Sequence, residues 1–382
     1  MAVDRAYYIE VINDEAGFRA LKAEWNSLLN SSPANCLFLT WEWVYTWWKH
    51  LAEDRKLNII TVRRDKELIA IAPLCLRPCR MRLFQFFRTL EFLGVGYVGS
   101  DYLDLIVRPD NEEAALQLIA DHLAGSRSIL ELSQVNSFSR HISGLVKMLE
   151  SYGWDISRKS THVCPYINLS DHNWDTYLES LGGSHRYNFR RRLKNLKKKF
   201  DVRFEQISTE EQRKQVLPEL IDLHNRRWHE RGGSDAFHTP GLLNFHDDFS
   251  RTAFHQDWLR LYVLRLNGKS AATLYGFKYN NIFYFYQSGF DTVFSRDSVG
   301  LVIMGLAIKS AIEDGVDAYD FLHGDEGYKY LWTREQYELL RFTFAPPYVN
   351  GRLYRRNMQT REVIKKLVRK YFPQPVIEWL HQ

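Results

Sequence analysis

Residues 258–288 read WLRLYVLRLNGKSAATLYGFKYNNIFYFYQS, and this stretch decides the fold. Apolar and aromatic residues fill Trp258–Leu266, Lys269–Tyr279 and Ile282–Ser288, and the breaks between them are Asn267-Gly268 and Asn280-Asn281. Asn-Gly between two strand-like runs is the strongest short hairpin signal, because both residues tolerate positive φ. The segment therefore predicts a three-stranded antiparallel meander.

Working outward, helices are expected before the meander over 174–200 and 209–231. After it comes a helix over 298–314, which stops at Gly315, a natural helix-ending residue. A short strand over 318–322, a polar loop and a last strand over 338–345 close the unit before Pro346-Pro347. The front of the chain repeats this order. Helices over 14–30 and 40–50 lead into a hairpin, 57–64 and 67–77. Strands near 89–93 and 102–107 follow, then a helix over 111–124, a strand over 128–133 and a helix over 138–152. The reading is a duplicated α/β (α+β) unit, each copy a mixed, mainly antiparallel sheet flanked by helices. The expected boundaries are 1–160 for the first unit, 161–350 for the second and 351–382 for a basic helical tail.

Composition agrees with two packed domains. The chain has 382 residues, 45% hydrophobic and 14% aromatic, which suffices for cores and excludes a disordered chain. A net charge of +5 suits an anionic ligand without requiring one. Among the four cysteines only Cys75 and Cys79 are close, and no second Cys/His pair stands at zinc spacing, so no metal site is expected. The N-terminus lacks a signal-peptide pattern, and the longest apolar stretch, 300–308, is far short of the roughly 20 residues of a membrane span. A cytoplasmic protein is expected.

The chemistry-bearing residues cluster late. They are Gln287-Ser288-Gly289-Phe290-Asp291, then Arg296-Asp297-Ser298-Val299-Gly300-Leu301, then Tyr319-Asp320-Phe321-Leu322-His323-Gly324-Asp325-Glu326-Gly327-Tyr328-Lys329. A helix beginning at Ser298 offers unpaired N–H groups and a positive dipole end, which suit a pyrophosphate. Gly300 permits close backbone approach, and Arg296 adds charge. The same helix is apolar nearly all round, so it is also a buried helix. Beyond the strand at 318–322, at the end where open sheets bind ligands, stand His323 and Asp325. His323, Asp325 or Glu326 suits a general base and Tyr328 an acid; Asp320 and Asp325 equally suit capping the turn or pairing with Lys329.

These segments resemble the GNAT superfamily of acyl-CoA-dependent N-acetyltransferases, in its CelD-like branch associated with polysaccharide and cellulose biosynthesis and related to the Fem-type aminoacyltransferases. The resemblance covers residues 170–346 and extends weakly to Phe38-Leu39-Thr40-Trp41-Glu42-Trp43. It implies two tandem acyl-CoA N-acyltransferase (GNAT-like) units; the first, whose Arg108-Pro109-Asp110-Asn111 segment before the helix has no glycine where its counterpart does, reads most simply as a non-catalytic scaffold. The strands at 282–288 and 318–322 would splay around the pantetheine arm of acetyl-CoA or another acyl-CoA. Ser288, Arg296, Ser298, Val299, Gly300 and Leu301 would contact the donor. Val299 and Leu301 replace the small residues usual in the superfamily's phosphate loop, and His323 replaces the branch's arginine, which opens the role of base. Tyr286, Asp320 and Lys329 would contact the acceptor.

A basic amphipathic helix, Ser184–Lys199, adds Arg186, Asn188 and Arg190 as acceptor contacts in the resembled family; alone, such a run is most simply a solvated face. The implied acceptor is a small-molecule, lipid-linked or nucleotide-linked amine, such as an amino sugar on the way to a surface polysaccharide. Rival readings are a Fem-type transferase using aminoacyl-tRNA and a non-enzymatic basic binding module. No coiled-coil arm like that of Fem-type relatives lies between Asp201 and Gln382, which counts against nucleic acid. The basic tail suits either an anionic membrane surface, at the inner face, or packing against the first unit. Trp41, Trp43, Trp47 and Trp48 suit a core or a sugar-stacking wall.

Overall fold

The computed structural model describes residues 7–77, 88–229, 236–358 and 360. The first unit starts with β1 (Tyr7–Ile12), α1 (Glu15–Ala20) and α2 (Lys22–Ser31), then α3 (Trp41–Leu51), whose N-cap Thr40 accepts from Trp43 N. Five short strands follow: β2 (Lys56–Leu57), β3 (Ile59–Arg64), β4 (Glu67–Ala72), β5 (Leu74–Leu76) and β6 (Thr89–Phe92). Then come β7 (Ile106–Val107), α4 (Glu112–Ser126), β8 (Ile129–Asn136), α5 (Arg140–Ser151) and the long β9 (Asp155–Asn168).

The second unit has α6 (Trp174–Ser180), α7 (Gly183–Lys199), β10 (Val202–Gln206), α8 (Glu210–His229) and α9 (Pro240–His255). The expected meander is β11 (Leu259–Leu266), β12 (Lys269–Tyr279) and β13 (Ile282–Phe290), with Asn267 and Gly268 both at positive φ in its first turn. α10 (Val299–Glu313), β14 (Ala318–Asp320) and β15 (Glu335–Ala345) complete it. The tandem order of two α/β units is thus the observed architecture.

Several elements differ from the expectation. The helix over 174–200 is two helices, because Leu181 is extended at the end of α6 and α7 restarts after Gly182. α9 was not expected, although Thr239 caps it and Pro240 stands at its first turn, a start signal readable in sequence. The edge strands β1 and β10 and the strand β9 were likewise not expected. The expected strand 67–77 breaks at Pro73, so that β4 stays with β3 while β5 pairs with β2 and β6 in the other sheet. The strand expected over 102–107 shrinks to two residues because Tyr102 sits at positive φ and Asp104 takes Leu105 N on its own carboxylate.

One sheet of four strands runs β1-β3-β4-β7, and one of eleven runs β10-β11-β12-β13-β14-β9-β15-β8-β6-β5-β2. The larger sheet crosses from unit to unit because β9 bonds β14 at Tyr166–Asn168 and β15 along Asp155–Tyr166, and β15 also bonds β8. The chain's last strand therefore returns to join both halves.

The tryptophan stripe belongs to the core. Trp43 and Trp47 are buried, with Trp43 packed edge-on against Phe245 and Phe249 of α9. The start of the tail lies against the first unit: Tyr354 hydroxyl bonds Glu131, Arg355 pairs with Asp155, and Asn350 Nδ2 donates to Arg127 O at 2.8 Å. Most of the basic tail, and Cys79, lie outside the described residues, while Cys75 is buried and free. Among the described residues no helix is long and apolar enough to cross a membrane, and no group of three or more His, Cys, Asp or Glu is placed to hold a metal.

Candidate active site

The site begins with a divergence of two parallel strands. β13 and β14 pair at Ile282–Ala318, Phe283–Tyr319 and Tyr284–Asp320, and there β14 ends while β13 continues to Phe290. Beyond Tyr284 the edge of β13 has no strand partner on that side among the described residues. β13 also carries a bulge: Tyr275 faces Gln287 and Gly276 faces Phe285, so Tyr286 has no partner on β12. Such an extra residue kinks its strand and takes its backbone groups out of the ladder. The Tyr286 hydroxyl donates to Val98 O of the first unit and anchors the bulge.

At this divergence opens a cleft of about 790 Å³. One wall is Phe285–Ser288 of β13 with His224 and Arg227 of α8; the floor is Phe321–Gly324 with Glu326, Tyr328 and Lys329. The other wall belongs to the first unit and its returning strands: Gly96–Gly99, Ser133 and Gln134, His162 of β9 and Arg341 of β15.

The polar centre is His323. Its Nδ1 lies 2.9 Å from Oδ1 and 3.0 Å from Oδ2 of Asp101, and its backbone N–H donates to Asp101 Oδ2 at 2.9 Å. Asp101 is fully buried, while the His323 side chain is 35% exposed toward the cleft. Beside this carboxylate the imidazole pKa is raised, the charge of Asp101 outweighing the effect of burial. An acid fixing Nδ1 leaves Nε2 as the ring nitrogen for proton transfer. Gln134 Nε2 donates to Asp101 Oδ1 at 2.9 Å.

Asp101 was missed in the sequence. It follows Gly94-Val95-Gly96-Tyr97-Val98-Gly99-Ser100, whose three glycines all take positive φ. That glycine density was the available signal for a loop with a special path. The tryptophans of α3 hold this loop: Trp43 Nε1 donates to Ser100 Oγ at 2.8 Å and Trp47 Nε1 to Val95 O at 3.0 Å. At Gly99 a Cβ would lie 3.4 Å from His323 Cε1, so the loop passes close over the imidazole.

The loop after β14 is tied down on both sides. Leu322 takes positive φ and its N–H donates to Asp320 Oδ1 at 2.7 Å, while Gly324 N–H reaches Val163 O of β9 at 2.9 Å. Lys329 is buried, with Nζ 2.8 Å from His323 O, 3.2 Å from Leu322 O and 2.9 Å from Glu326 Oε2. Tyr328 lines the cleft with its phenol pKa raised by burial and by Glu326, so it holds its proton.

Of the residues expected to act, His323 and Tyr328 line the cleft, whereas Asp325 is exposed and does not. Among the expected donor contacts only Ser288 lines it. Arg296, Ser298, Val299, Gly300 and Leu301 lie past the end of β13, with Arg296 exposed and Val299 fully buried. The Ser298 side chain makes no capping bond there, so it does not satisfy the first N–H groups of α10.

Of the expected acceptor contacts, Tyr286 and Lys329 line the cleft. Asp320 does not: it accepts from Tyr102 hydroxyl at 2.7 Å and faces a second cavity of about 560 Å³. Arg186, Asn188 and Arg190 lie on α7 outside the cleft. Arg186 donates to Glu179 O, Asn188 accepts from Arg191, and Arg190 is exposed. The reason is packing. Phe189 faces inward against α10 at Gly305, where a Cβ would come within 2.2 Å of its ring, and this turns the neighbouring polar residues outward.

Residues 183–330 match the acetyltransferase (GNAT) domain family. The chain has the fold of FemX, with a TM-score of 0.59 at 13% identity over 91% of this chain and 99% of that one. A conserved protein of unknown function from Bacteroides thetaiotaomicron gives 0.56 at 12% identity over 88% and 99%. No curated protein matches the sequence. At these identities the likeness is one of fold, a mixed α/β architecture of helix-flanked sheets as expected from the sequence, and the family match lies in its second unit.

Proposed function

We propose that this protein transfers an acyl group from acyl-CoA to an amine in the cleft between β13 and β14, with the second unit bearing the chemistry and the first supporting it. The observation that carries the reading is the Asp101–His323 pair standing where the two strands part. Coenzyme A would supply the acyl group as a reactive thioester. The unpartnered edge of β13 beyond Tyr284 fits an extended pantetheine arm, which pairs as a strand does. Farther along, the uncapped N-terminus of α10 and exposed Arg296 fit its phosphates.

The roles follow from position and protonation. His323, through Nε2, takes the proton that the ammonium must lose before it can attack. Asp101 keeps the imidazole in that tautomer and stabilises the imidazolium that forms. Backbone N–H groups freed by the bulge at Tyr286 suit the charge that develops on the thioester oxygen. Tyr328, kept protonated, gives its proton to the departing thiolate and regains one from the attacking nitrogen, which sheds its extra proton as the amide forms. An amino sugar or another precursor of a surface polysaccharide, as in the CelD-like branch, is the acceptor this reading favours.

Calorimetry with acetyl-CoA and longer acyl-CoAs tests the donor. Binding is expected, and weaker binding for Arg296→Ala and Gly300→Asp. No binding of any acyl-CoA by the wild type would overturn the reading. A second reading, transfer from aminoacyl-tRNA, is favoured by the exposed basic face of α7, with Arg190, Arg191, Lys194, Lys197 and Lys198. Aminoacyl transfer without acyl-CoA binding would establish it instead.

A further inference from the structure

The cleft wall opposite β13 has a charge that the roles above do not use. Arg341 on β15 is exposed to the cleft, and among the described residues it has neither an ion-pair nor a hydrogen-bond partner. This sets it apart from arginines such as Arg77, Arg213 and Arg260, each held by carboxylates. His162 on β9 lines the same wall; its ring makes no hydrogen bond among the described residues and lies 5.1 Å from that of His323.

The remaining charges of the cleft are committed. Asp101 is held by His323 and Gln134, and Glu326 pairs with Lys329, whose other contacts are loop carbonyls. Arg227, on the far wall, packs over the Phe290 ring. Burial and the nearby His323 and Arg341 cations also lower the His162 pKa, so this ring is neutral and free to donate one hydrogen bond. Glu131 on β8 feels the charge of Arg341, but no carboxylate among the described residues pairs with it, so an ammonium arriving alone at His323 would meet a guanidinium without an ion-pair partner. An anionic group on the same molecule would instead complete a charge-assisted contact with it.

Resting on that reading of the cleft, we infer that the acceptor is an amine carrying an anionic group, a carboxylate or a phosphate, bound by Arg341 with His162 while the amine faces His323. The short spacing of the two histidine rings places the amine and the anion a few bonds apart. Amino acids and amino-sugar phosphates both meet this description.

The test is calorimetry without any acyl donor, so that its outcome is independent of acyl-CoA. The probes are glucosamine 6-phosphate against glucosamine, and L-alanine against L-alaninamide. In at least one pair the wild type should bind the amine that carries the anionic group about 10-fold or more tighter than the partner that lacks it, the order expected of a charge-assisted contact. Arg341→Gln should abolish that preference and Arg341→Glu reverse it, both with an unchanged melting temperature. The pair that shows the preference identifies phosphate or carboxylate. Equal binding within both pairs, no binding of any probe, or a preference that survives in Arg341→Gln would overturn the inference. A loss of acetyl-CoA binding in Arg341→Gln would also do so, by assigning the arginine to the donor. The donor reading fails separately, on wild-type acyl-CoA binding.

Discussion

Nδ1 of His323 lies 2.9 Å from Oδ1 of Asp101, a residue 222 positions earlier in the chain and fully buried in the first unit. The acid and the imidazole of one dyad thus come from the two different units. The first unit, expected to be a scaffold alone, provides the group that orients the candidate base.

Replacing Asp101 with Asn should lower acyl transfer about 10²-fold, in the range of lost acid–base assistance, and His323→Ala at least as much. The pH profile separates orientation from folding. Asp101 raises the His323 pKa, and the base acts only when neutral, so the rate rises as pH passes that value. Asp101→Asn should move this acidic limb to lower pH. The ion pair also stabilises the fold, fully below the unfolded imidazole pKa of about 6.5, and that contribution disappears as pH rises through the raised folded value. Melting curves should show the difference between wild type and Asp101→Asn shrinking across that window.

Lys329→Met should loosen the loop that carries His323. It removes the ammonium that holds three consecutive carbonyls, those of Leu322, His323 and Gly324. Buried acceptors left without a donor cost about 1–3 kcal/mol. Denaturant unfolding should report a loss of that size, and amide exchange at 322–324 should accelerate. Unchanged exchange would show that Lys329 does not support the loop.

Two glycines near the strand end should behave differently. At Gly289 a Cβ would stand 2.5 Å from His224 N and 2.8 Å from Leu223 C, backbone atoms of α8 that cannot swing aside. Gly289→Ala should cost about 1–3 kcal/mol. At Gly300 the nearest atom is Phe290 Cδ1 at 3.5 Å, an ordinary contact. Gly300→Ala should stay within about 0.5 kcal/mol in stability, so any weakening of donor binding reports on the N-terminus of α10 itself.

Asp320 gives a pH dependence of opposite origin to that of a salt-bridged acid. Burial pushes its pKa from the ordinary 3.8 up to about 7 despite the Tyr102 and Leu322 donors. The folded state therefore holds a proton that the unfolded state has released, and stability falls as pH rises between these values. Asp320→Asn should flatten that part of the stability profile in thermal melts while leaving the dyad's rate limb in place.

The expected and observed elements separate along a physical line. The meander, α10, β14 and the following loop were legible because hairpin turns, apolar periodicity and a glycine stop act within a few residues. His323, Tyr328, Tyr286, Ser288 and Lys329 could therefore be placed near one strand end. Arg186, Asn188 and Arg190 were legible as a basic helix, but the direction of that helix depends on Phe189 packing at Gly305, a contact over 100 residues away.

By itself the sequence determined the repeated order of helices and strands and the segment that carries the candidate base. Only the tertiary structure decided what that base is paired with and which walls enclose it. β15 returns to bond β8 and β9, bringing His162 and Arg341 to the cleft, and the tryptophans of α3 pin the glycine-rich loop so that Asp101 reaches His323. Local propensity is a property of neighbours along the chain. A buried carboxylate becomes tolerable only when a distant partner meets it in space, and no periodicity records that meeting.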